Sequence, residues 1–476
     1  MKKILNHILR EKRRGQLAVE LLVLAAIVIT LIGGFVSLAA SFLNLSVRAQ
    51  NEAQALAIAE AGIEYYKWHL AYSSQDFTDG TGQAGPYVHT YYNKNGSAIG
   101  QFSLNIAAPS SGSTIVTITS TGSVNADPSV KKIITVRLGV PSFAQYAWVL
   151  NSAVEFGSTA QVYGTIYSNN GVHFDGVAHN LVESALTTYT DPDNGLTEWA
   201  VYTDGPPADP RPTTTLSSQP GIFLAGRSLG VPAIDFAGIT QDLAAIKTLA
   251  QASGTYYASS SAKGWDLALT TTTFSLYKVT ATSSAPHNCT NADNQSSWDL
   301  WSISTESLYA TGTIPQNGNM FFEDNLWVRG HINGVRVTIA SGRFPANQST
   351  YSNITVNNSI TYGNFNGSDT IALISQNNIN VGYNVDNDLV IDAALMAQNG
   401  WIGRYYYSSN CGSSYIRNSL TTYGIMGTNL RSAFNYGTSG FTTRTYNYDA
   451  NLLYSPPPSF PLTTNGYQLI SWQELQ

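Results

Sequence analysis

Charged side chains are scarce in this sequence of 476 residues. Asp, Glu, Lys and Arg together make up 11% of it, whereas ordinary soluble proteins have about 25%. The formal net charge is −6, and proteins that bind nucleic acid usually present a basic face. Nucleic acid is therefore excluded as an expected partner. A polar but uncharged surface is more typical of β-rich extracellular proteins than of cytoplasmic enzymes.

Cysteine is nearly absent as well, since Cys289 and Cys411 are the only two in the chain. Two cysteines are too few for a disulfide framework, and these two lack the CxxC spacing of zinc or redox sites. In an oxidising compartment they can form one Cys289–Cys411 bridge. Otherwise they remain two unpaired thiols, and the sequence leaves both alternatives open.

Short enzyme motifs are also missing. The chain has no GxSxG or HExxH motif, no Walker A loop, and no GxGxxG placed after a strand. A glycosidase needs two carboxylates facing one cleft, and no such pair stands out in the sequence. We therefore expect no catalytic residues, no cofactor and no enzymatic activity.

Three short clusters contain side chains that can bind metals: Asp386, Asp388 and Asp392; Asp191, Asp193 and Glu198; and His173, Asp175 and His179. The first two lie in turn-like stretches, and neither supplies the full ligand set of a calcium loop. The third has no third strong ligand beside its histidines. Solvated turns and hydrogen-bonded histidines explain these clusters better than metal sites, so no metal is expected.

The charge that is present lies unevenly, because residues 1–15 are strongly basic and contain a single acid, Glu11. A long run from Leu21 to Val47 then has no charged residue. These 27 residues exceed the ~20 that a helix needs to span the hydrocarbon core of a membrane. A basic leader before such a run predicts a membrane segment whose positive end stays on the cytoplasmic side.

Helical character continues beyond the apolar run. The stretch VRAQNEAQALAIAEAGIEYYKWHLAY contains no proline and is rich in good helix formers. Ala53, Leu56, Ala57 and Ile63 recur at helical spacing and are mostly small, which permits close approach of a second helix. We predict one continuous helix over residues 16–72.

These residues resemble the class III signal peptide of type IV pilins: a short basic leader ending in Gly15, then Gln16, Glu20 and a long apolar helix. The stretch AQALAIAEAGIEYY is similar to the N-terminal segment of PilX-type minor pilins. The resemblance implies that a prepilin peptidase cuts between Gly15 and Gln16 and removes residues 1–15. Gln16 departs from the family, because many bacterial pilins have an aromatic residue there.

Glu20 is an acid four residues into an otherwise apolar stretch, where a carboxylate is costly in lipid and usually functional. In the family that this leader resembles, the acid pairs with the free terminal amine of a neighbouring subunit. The resemblance thus implies that Glu20 serves filament assembly. The alternative is a plain signal anchor in which Glu20 reaches back to the near interface.

Residues 73–140 follow as a loop and then segments that alternate apolar and polar residues, at 99–108, 113–124 and 130–140. Such alternation predicts an antiparallel β-meander with one face packed on a core. Together with the helix it would form a pilin-like unit that ends near Pro141.

The rest of the chain has an asparagine-centred repeat, with Asn357, Asn377 and Asn399 spaced by about one coil of a β-solenoid. The pattern predicts a right-handed parallel β-helix, and a β-sandwich is the alternative. We place its first coils at 141–176, an insertion or cap at 177–312, and further coils with a capping tail at 313–476. The predicted fold class is therefore mainly β with a long N-terminal α-helix.

The leading functional prediction is a non-enzymatic minor-pilin-like subunit of a type IV pilus. Its partners would be prepilin peptidase, other pilin subunits, the membrane, and a surface glycan or protein ligand. It would be anchored in the inner or cytoplasmic membrane and exported to the cell surface or pilus, where its large head serves adhesion or pilus assembly. The alternatives are a membrane-anchored carbohydrate-active β-helix enzyme and a stand-alone surface adhesin.

Overall fold

The computed structural model contains a long N-terminal helix followed almost entirely by strands, which confirms the coarse prediction of a mainly β chain. Side chains are described from Leu17 onward, apart from Asp242. The described residues are 2–110, 112–236, 242–289, 302–462 and 466–475. The chain forms two compact units: unit 1 with Met1–Ala108, Val116–Leu138 and Gly466–Gln476, and unit 2 with Pro109–Ile115 and Gly139–Asn465.

Unit 1 begins with helix α1, Lys2–Tyr72, a stretch without proline. Every side chain from Leu17 to Gln50 is exposed. Beyond Gln50, one face of the helix becomes buried at helical spacing. The apolar side chains of this buried face are Ala55, Ile58, Ala59, Ile63, Tyr66 and Leu70.

An antiparallel sheet packs on the buried face of α1. Its first four strands are β1 (Tyr87–Tyr92), β2 (Ala98–Ala107), β3 (Ile115–Val124) and β4 (Asp127–Gly139). They lie side by side in chain order. Val116 and Ile118 on β3 are fully buried between partly exposed neighbours, as alternation in a half-buried strand requires.

The helix lies directly on β3 because Gly122 has no side chain. A Cβ atom at Gly122 would lie 2.1 Å from the backbone oxygen of Ala55 and 2.5 Å from the backbone nitrogen of Ala59. No side chain fits in that space, so a residue other than glycine would push the helix and the sheet apart.

Unit 2 consists of short strands, helix α2 (Asp242–Ser253) and a few single-turn 3₁₀ helices. Its strands before α2 are β5 (Trp148–Leu150), β6 (Val154–Phe156), β7 (Ala160–Tyr163), β8 (Ile166–Ser168), β9 (Val172–Phe174), β10 (Val177–Ala178), β11 (Val182–Ser184), β12 (Thr188–Thr190), β13 (Thr197–Trp199), β14 (Val201–Tyr202) and β15 (Arg227–Leu229).

The strands of unit 2 after α2 are β16 (Thr255–Tyr257), β17 (Gly264–Thr271), β18 (Thr273–Thr282), β19 (Ile303–Thr313), β20 (Asn319–Phe322), β21 (Leu326–Ile332), β22 (Arg336–Ser341), β23 (Ile354–Tyr362), β24 (Thr370–Ser375), β25 (Ile379–Val381), β26 (Asp388–Ala397), β27 (Ile402–Gly403), β28 (Ile416–Thr428) and β29 (Gly440–Tyr448). The last strand of the chain is β30 (Gln468–Leu475), which belongs to unit 1.

Most strands of unit 2 pair in parallel and form ladders, that is, rows of strands paired side by side. The first ladder runs β16, β20, β22, β24, β26, β28, β5, β8, β11 and β15. The second runs β17, β21, β23, β26, β28, β29, β7 and β10. In both ladders, strands from the end of unit 2 pair with strands from its beginning.

A third ladder comes in two pieces. One piece is β21, β23, β25 and β27, and the other is a separate three-stranded sheet of β6, β9 and β14. Strands β5, β6 and β7 belong to the first, third and second ladders, respectively, and β8, β9 and β10 follow in the same order. The inward side chains of the three ladders form one core, with Trp148, Ile166, Leu373 and Leu395 among its fully buried members.

The structure differs from the predicted insertion over 177–312. Strands β10 and β11 continue the ladders of the first strands, and β15 pairs with β11. Further along, β17, β18 and β19 form an antiparallel meander joined to the second ladder. The pairing pattern thus continues past residue 177. The sequence does not reveal this, because short apolar strands such as Val182–Ser184 carry little sequence signal of their own.

Helix α2 covers the outer face of the first ladder. The described helix begins at Asp242, and residues 237–241 lie outside the described part of the chain. Leu243 and Ile246 are 1% exposed and pack in one cluster with Phe321 and Ile374 of the ladder. Leu249, by contrast, is 43% exposed.

Stacked asparagines occur at strand ends in unit 2, although not all the predicted ones take part. Asn169 donates to the side chain of Asn151 at 2.8 Å, and Asn151 donates to that of Asn429 at 2.7 Å. Asn377 donates to Asn353 at 3.0 Å. Asn357, by contrast, lies inside strand β23. Its spacing from Asn377 therefore does not mark equivalent turns.

The end of the chain differs from the predicted capping tail. Phe460 is buried in the cluster beside α2, and Ser142 and Leu462 form a β-bridge within unit 2. Strand β30, however, pairs with β4 at the edge of the unit 1 sheet. Lys132 and Glu474 form an ion pair of 2.9 Å there. The last strand thus extends the antiparallel meander instead of covering the parallel ladders.

Candidate functional site

The exposed part of α1 is the first candidate functional surface. It is apolar along most of its length, and Leu21, Leu22, Ile29 and Phe35 each leave about 70% of their surface uncovered. Among the residues whose side chains are described, this helix is the one that is long and apolar enough to cross a membrane. Soluble proteins rarely expose apolar surface of this extent, so another apolar phase or another helix has to cover it.

Glu20 is exposed in this segment. No hydrogen bond or ion pair to it occurs among the described side chains of the chain, so its carboxylate has no partner within that part of the molecule. Gly15 and Gln16 lie within the bounds of α1, but their side chains fall outside those described. The predicted cleavage position therefore stays a prediction.

Cys289 and Cys411 are joined in a disulfide that links segments 122 residues apart. Cys411 lies in the loop between β27 and β28, and the hydroxyl of Tyr383 donates to its carbonyl oxygen at 2.5 Å. Of the two alternatives that the sequence leaves open, the structure contains the bridge. Its position ties the stretch after β18 to the β27–β28 loop.

A buried arginine supports the same loop. Arg404 is fully buried and donates to the carbonyl oxygens of Ser414, Tyr383 and Tyr415 at 2.5, 3.1 and 3.2 Å. Burial lowers the pKa of Arg404 to about 10. Backbone carbonyls and the face of the Tyr407 ring, 5.1 Å away, replace part of the water that this guanidinium has lost. Its Nε makes no hydrogen bond among the described residues.

A cleft of about 1260 Å³ opens in unit 2 beside the break in the third ladder. Strand β6 lies along one side, and the segment 430–437 with the nearby Trp401 and Tyr405 lies along the other. Its inner end is aromatic: the rings of Trp148 and Phe156 meet edge to face at 5.3 Å. The cleft exceeds the usual 300–1,000 Å³ of a small-molecule pocket.

Charged groups at the cleft are largely paired with one another. Arg431 donates to both carboxylate oxygens of Asp193, one of them at 2.7 Å. It also approaches Glu155 at 3.4 Å. Burial raises the pKa of Glu155, while Arg431 and His173 counter part of that rise. Glu155, Asp193 and Arg431 come from separate parts of the chain, and the sequence gives no signal that their side chains meet.

His173 and Asp175, two members of a candidate metal cluster, lie 3.3 Å apart near this cleft. Burial opposes the charge on His173, but the Asp175 partner outweighs it and raises the His173 pKa. Burial opposes the charge on Asp175, but the charge of His173 and hydrogen bonds from Thr203 and the backbone N–H of Asp204 outweigh it and lower the Asp175 pKa to about 2. His179 instead bonds to Gln161 at 2.9 Å.

The other two acidic clusters are also held by separate partners. Asp386, Asp388 and Asp392 bond to Ser359, Ser419 and the backbone of Tyr362, respectively. Asp191, Asp193 and Glu198 bond to Tyr202, Arg431 and Arg211, respectively. Within the described residues, no group of three or more His, Cys, Asp or Glu side chains is arranged to hold a metal ion.

Comparison with known proteins gives little support for or against the predicted function. No family model matches the chain, and no curated protein matches it. Among solved structures, it is similar to the competence-associated pilin ComZ from Thermus thermophilus, with 12% identity and a TM-score of 0.32. That match covers 89% of this chain and 98% of the other. At this level, the neighbour supports no inference about fold, partners or activity.

Proposed function

We propose that the chain is a membrane-anchored, pilin-like surface subunit that enters a filament through α1. The observation that carries the proposal is the exposed apolar helix Leu17–Gln50, which contains the acid Glu20, unpaired within the described part, and continues without a break into a helix packed on an antiparallel sheet. A plain anchor needs only the apolar run. It does not need an acid at this depth.

In this proposal, prepilin peptidase cuts between Gly15 and Gln16. The new terminal amine of one subunit then pairs with Glu20 of the next. Each charge would be costly in lipid alone, and losing one partner of a buried pair costs about 3–5 kcal/mol. The pair therefore fixes the axial register between neighbouring helices, in the manner of the minor pilins that the leader resembles.

Unit 2 would be a large head displayed at the cell surface. Its parallel ladders, visited in turn by the chain, are consistent with the coils of a right-handed parallel β-helix. We propose that the head acts by binding, in adhesion or in assembly, and not by catalysis. A head of this size favours a place at the filament tip or isolated positions within a filament of smaller subunits.

Replacing Glu20 tests the assembly role. We expect Glu20→Ala to leave membrane insertion intact while incorporation into sheared filaments falls at least about tenfold, because the neighbouring amine loses its partner. Incorporation is measured by immunoblot of filament and membrane fractions. Glu52→Ala is the matched control, since Glu52 lies on the same helix in an exposed pair with Arg48 at 3.1 Å.

Equal incorporation of the two variants would contradict the filament role and favour a stand-alone surface adhesin.

The N-terminal residue of protein extracted from cells tests whether the leader is removed. We expect mass spectrometry to find Gln16 as the first residue. If residues 1–15 were still attached, Gln16 would have no free amine, and the proposed pairing with Glu20 would be ruled out. Release of products from glycans would contradict the non-enzymatic role.

A further inference from the structure

The cleft beside β6 is the part of unit 2 that the filament role does not use. Strand β6 is an outer strand of its own three-stranded sheet, paired with β9. Val154 donates its backbone N–H to Gly171, and the carbonyl of Phe156 accepts from Asp175. Both groups face β9, so the backbone groups of Glu155 between them face the opposite side, where the cleft lies.

Two buried polar groups of the cleft-lining residues have no partner among the described residues. Trp148 is 1% exposed and Ser432 is 3% exposed. The indole N–H of Trp148 and the hydroxyl of Ser432 make no hydrogen bond there. Buried polar groups are normally satisfied, and the exceptions call for an explanation. A ligand that brings hydroxyl oxygens into the cleft would supply one.

Aromatic rings flank these polar groups. Trp401 is partly exposed and meets Tyr405 edge to face at 4.5 Å. Tyr436, in the neighbouring segment 430–437, also lines the cleft. Aromatic rings offer flat apolar faces together with polar tips. Such faces suit the C–H face of a sugar ring, while the polar tips suit its hydroxyls.

The remaining polar lining is mostly neutral. Glu155, Asp193 and Arg431 neutralise one another in part, and Asp175 is occupied by its own donors. Arg444 also lines the cleft; it is 5% exposed and donates to the backbone carbonyls of Phe441 and Thr442. Three carboxylates stand against two arginines among the described lining residues, so no excess of positive charge is left there to attract an acidic polymer. Hydroxyl and amide groups make up much of the rest: Ser152, Ser158, Thr159, Asn378, Asn435 and Thr442.

We propose that this cleft binds a neutral oligosaccharide, stacked on Trp401 and hydrogen-bonded to Ser432, Trp148 and Glu155. The site deepens the proposed surface function, and it rests on that function for its biological use. Binding itself needs neither processing nor assembly. A failure here would therefore leave the role of Glu20 untouched, and a failure of the Glu20 test would leave sugar binding measurable.

The test uses the full chain purified in detergent and isothermal titration calorimetry. The probes are short neutral oligosaccharides of glucose, galactose, mannose and N-acetylglucosamine, together with oligogalacturonate and a Ser/Thr-rich peptide. We expect at least one neutral probe to bind with a Kd below about 1 mM. Oligogalacturonate and the peptide are expected to bind at least about tenfold more weakly.

Variants locate the binding in the cleft. Trp401→Ala should weaken binding at least about tenfold, as loss of an aromatic anchor commonly does. Ser432→Ala, which removes a single oxygen and endangers folding less, should weaken it about threefold or more. Trp472→Ala is the matched control, because Trp472 is 43% exposed on β30 in unit 1. It should bind within about twofold of the unaltered chain.

Three results would overturn the proposal. One is the absence of binding by every neutral probe, and another is preferential binding of oligogalacturonate or the peptide. The third is equal loss of affinity in the Trp401 and Trp472 variants. Near-ultraviolet circular dichroism of each variant reports whether the fold is kept, and the Ser432 variant decides the matter if Trp401→Ala is misfolded.

Discussion

At the scale of single residues, Asp392 shows what burial does to a carboxyl group. It lies on β26 with 4% of its surface exposed, and it accepts a hydrogen bond from the backbone N–H of Tyr362 at 3.0 Å. Burial, with a smaller contribution from Asp449, raises the pKa of Asp392 to about 6. One hydrogen bond is too little to compensate for the water that the charged form loses.

This raised pKa predicts a pH-dependent effect of Asp392→Asn. The folded state holds the proton more tightly than the unfolded state, so its stabilising effect is present near pH 4 and is lost as the pH rises through about 6. Asparagine cannot ionise and keeps an oxygen for Tyr362. We expect the free energy of unfolding to rise by about 1–3 kcal/mol at pH 7.5 and to change little at pH 4, as measured by urea denaturation.

Asp388 on the same strand provides the control. Hydrogen bonds from Ser419 and Asn418 lower its pKa, so its charged form is favoured in the folded state. Asp388→Asn should therefore not stabilise the protein at pH 7.5. If both variants gave the same gain, or if the gain from Asp392→Asn were independent of pH, the assigned effect of burial would be wrong.

The residues of the cleft mark the limit of what the sequence predicts at this scale. Glu155 and Arg431 meet because β28 pairs with β5, a contact between segments far apart in the chain. Tyrosine-rich stretches such as 403–410 suggest a binding surface in general terms. They do not identify Trp401 as part of a cleft wall, because sequence spacing carries no information on long-range pairing.

At the scale of elements, helix α2 contributes to unit 2 through one apolar face. Leu243 and Ile246 lie against the first ladder, and Lys247 forms an ion pair of 2.5 Å with Glu323, next to β20. Leu249 lies at the edge of this face and is 43% exposed. The helix therefore stabilises the ladder by covering Phe321 and its neighbours.

Truncating a buried and an exposed side chain of α2 should have unequal effects. Ile246→Ala removes buried methyl groups and leaves a cavity, so we expect the free energy of unfolding to fall by about 2–4 kcal/mol. Leu249→Ala serves as the control and should change it by less than about 1 kcal/mol. Thermal and urea unfolding measure both. Equal losses would mean that α2 does not pack on the ladder through this face.

Elements with strong periodicity were the predictable ones. The proline-free stretch before Tyr72 predicts α1, and alternation around Ile118 predicts a strand of the antiparallel sheet. The alternation fails for very short strands such as Val154–Phe156, where three residues cannot establish a period. The asparagine spacing fails at Asn357 because turns and strands both contain asparagine in this Asn-rich chain.

At the scale of the whole molecule, the disulfide restricts the unfolded chain. It closes a loop of about 120 residues between Cys289 and Cys411, and a loop of that length corresponds to about 5 kcal/mol in the chain-entropy account. We expect a Cys289→Ser/Cys411→Ser double variant to lose stability by up to that amount in urea unfolding. It should also be cleaved faster by protease in the β27–β28 loop.

Reductant provides the control for this prediction. Treating the unaltered protein with dithiothreitol should produce the same shift, and the double variant should not respond to it. A shift in the variant without one in the reduced protein would assign the effect to the serine substitutions. The pairing itself could not be predicted, because two cysteines can always form a bridge or remain apart.

The order of strands in the ladders has a consequence for how the protein is made. Strand β5 pairs with β28, β7 pairs with β29, and the unit 1 sheet takes β30 as its last strand. The early strands of unit 2 must therefore wait for residues synthesised more than 250 positions later. A ribosome that stops before β28 releases a polypeptide whose early strands lack these neighbours, so β5 and β7 find their partners only after synthesis has passed β29.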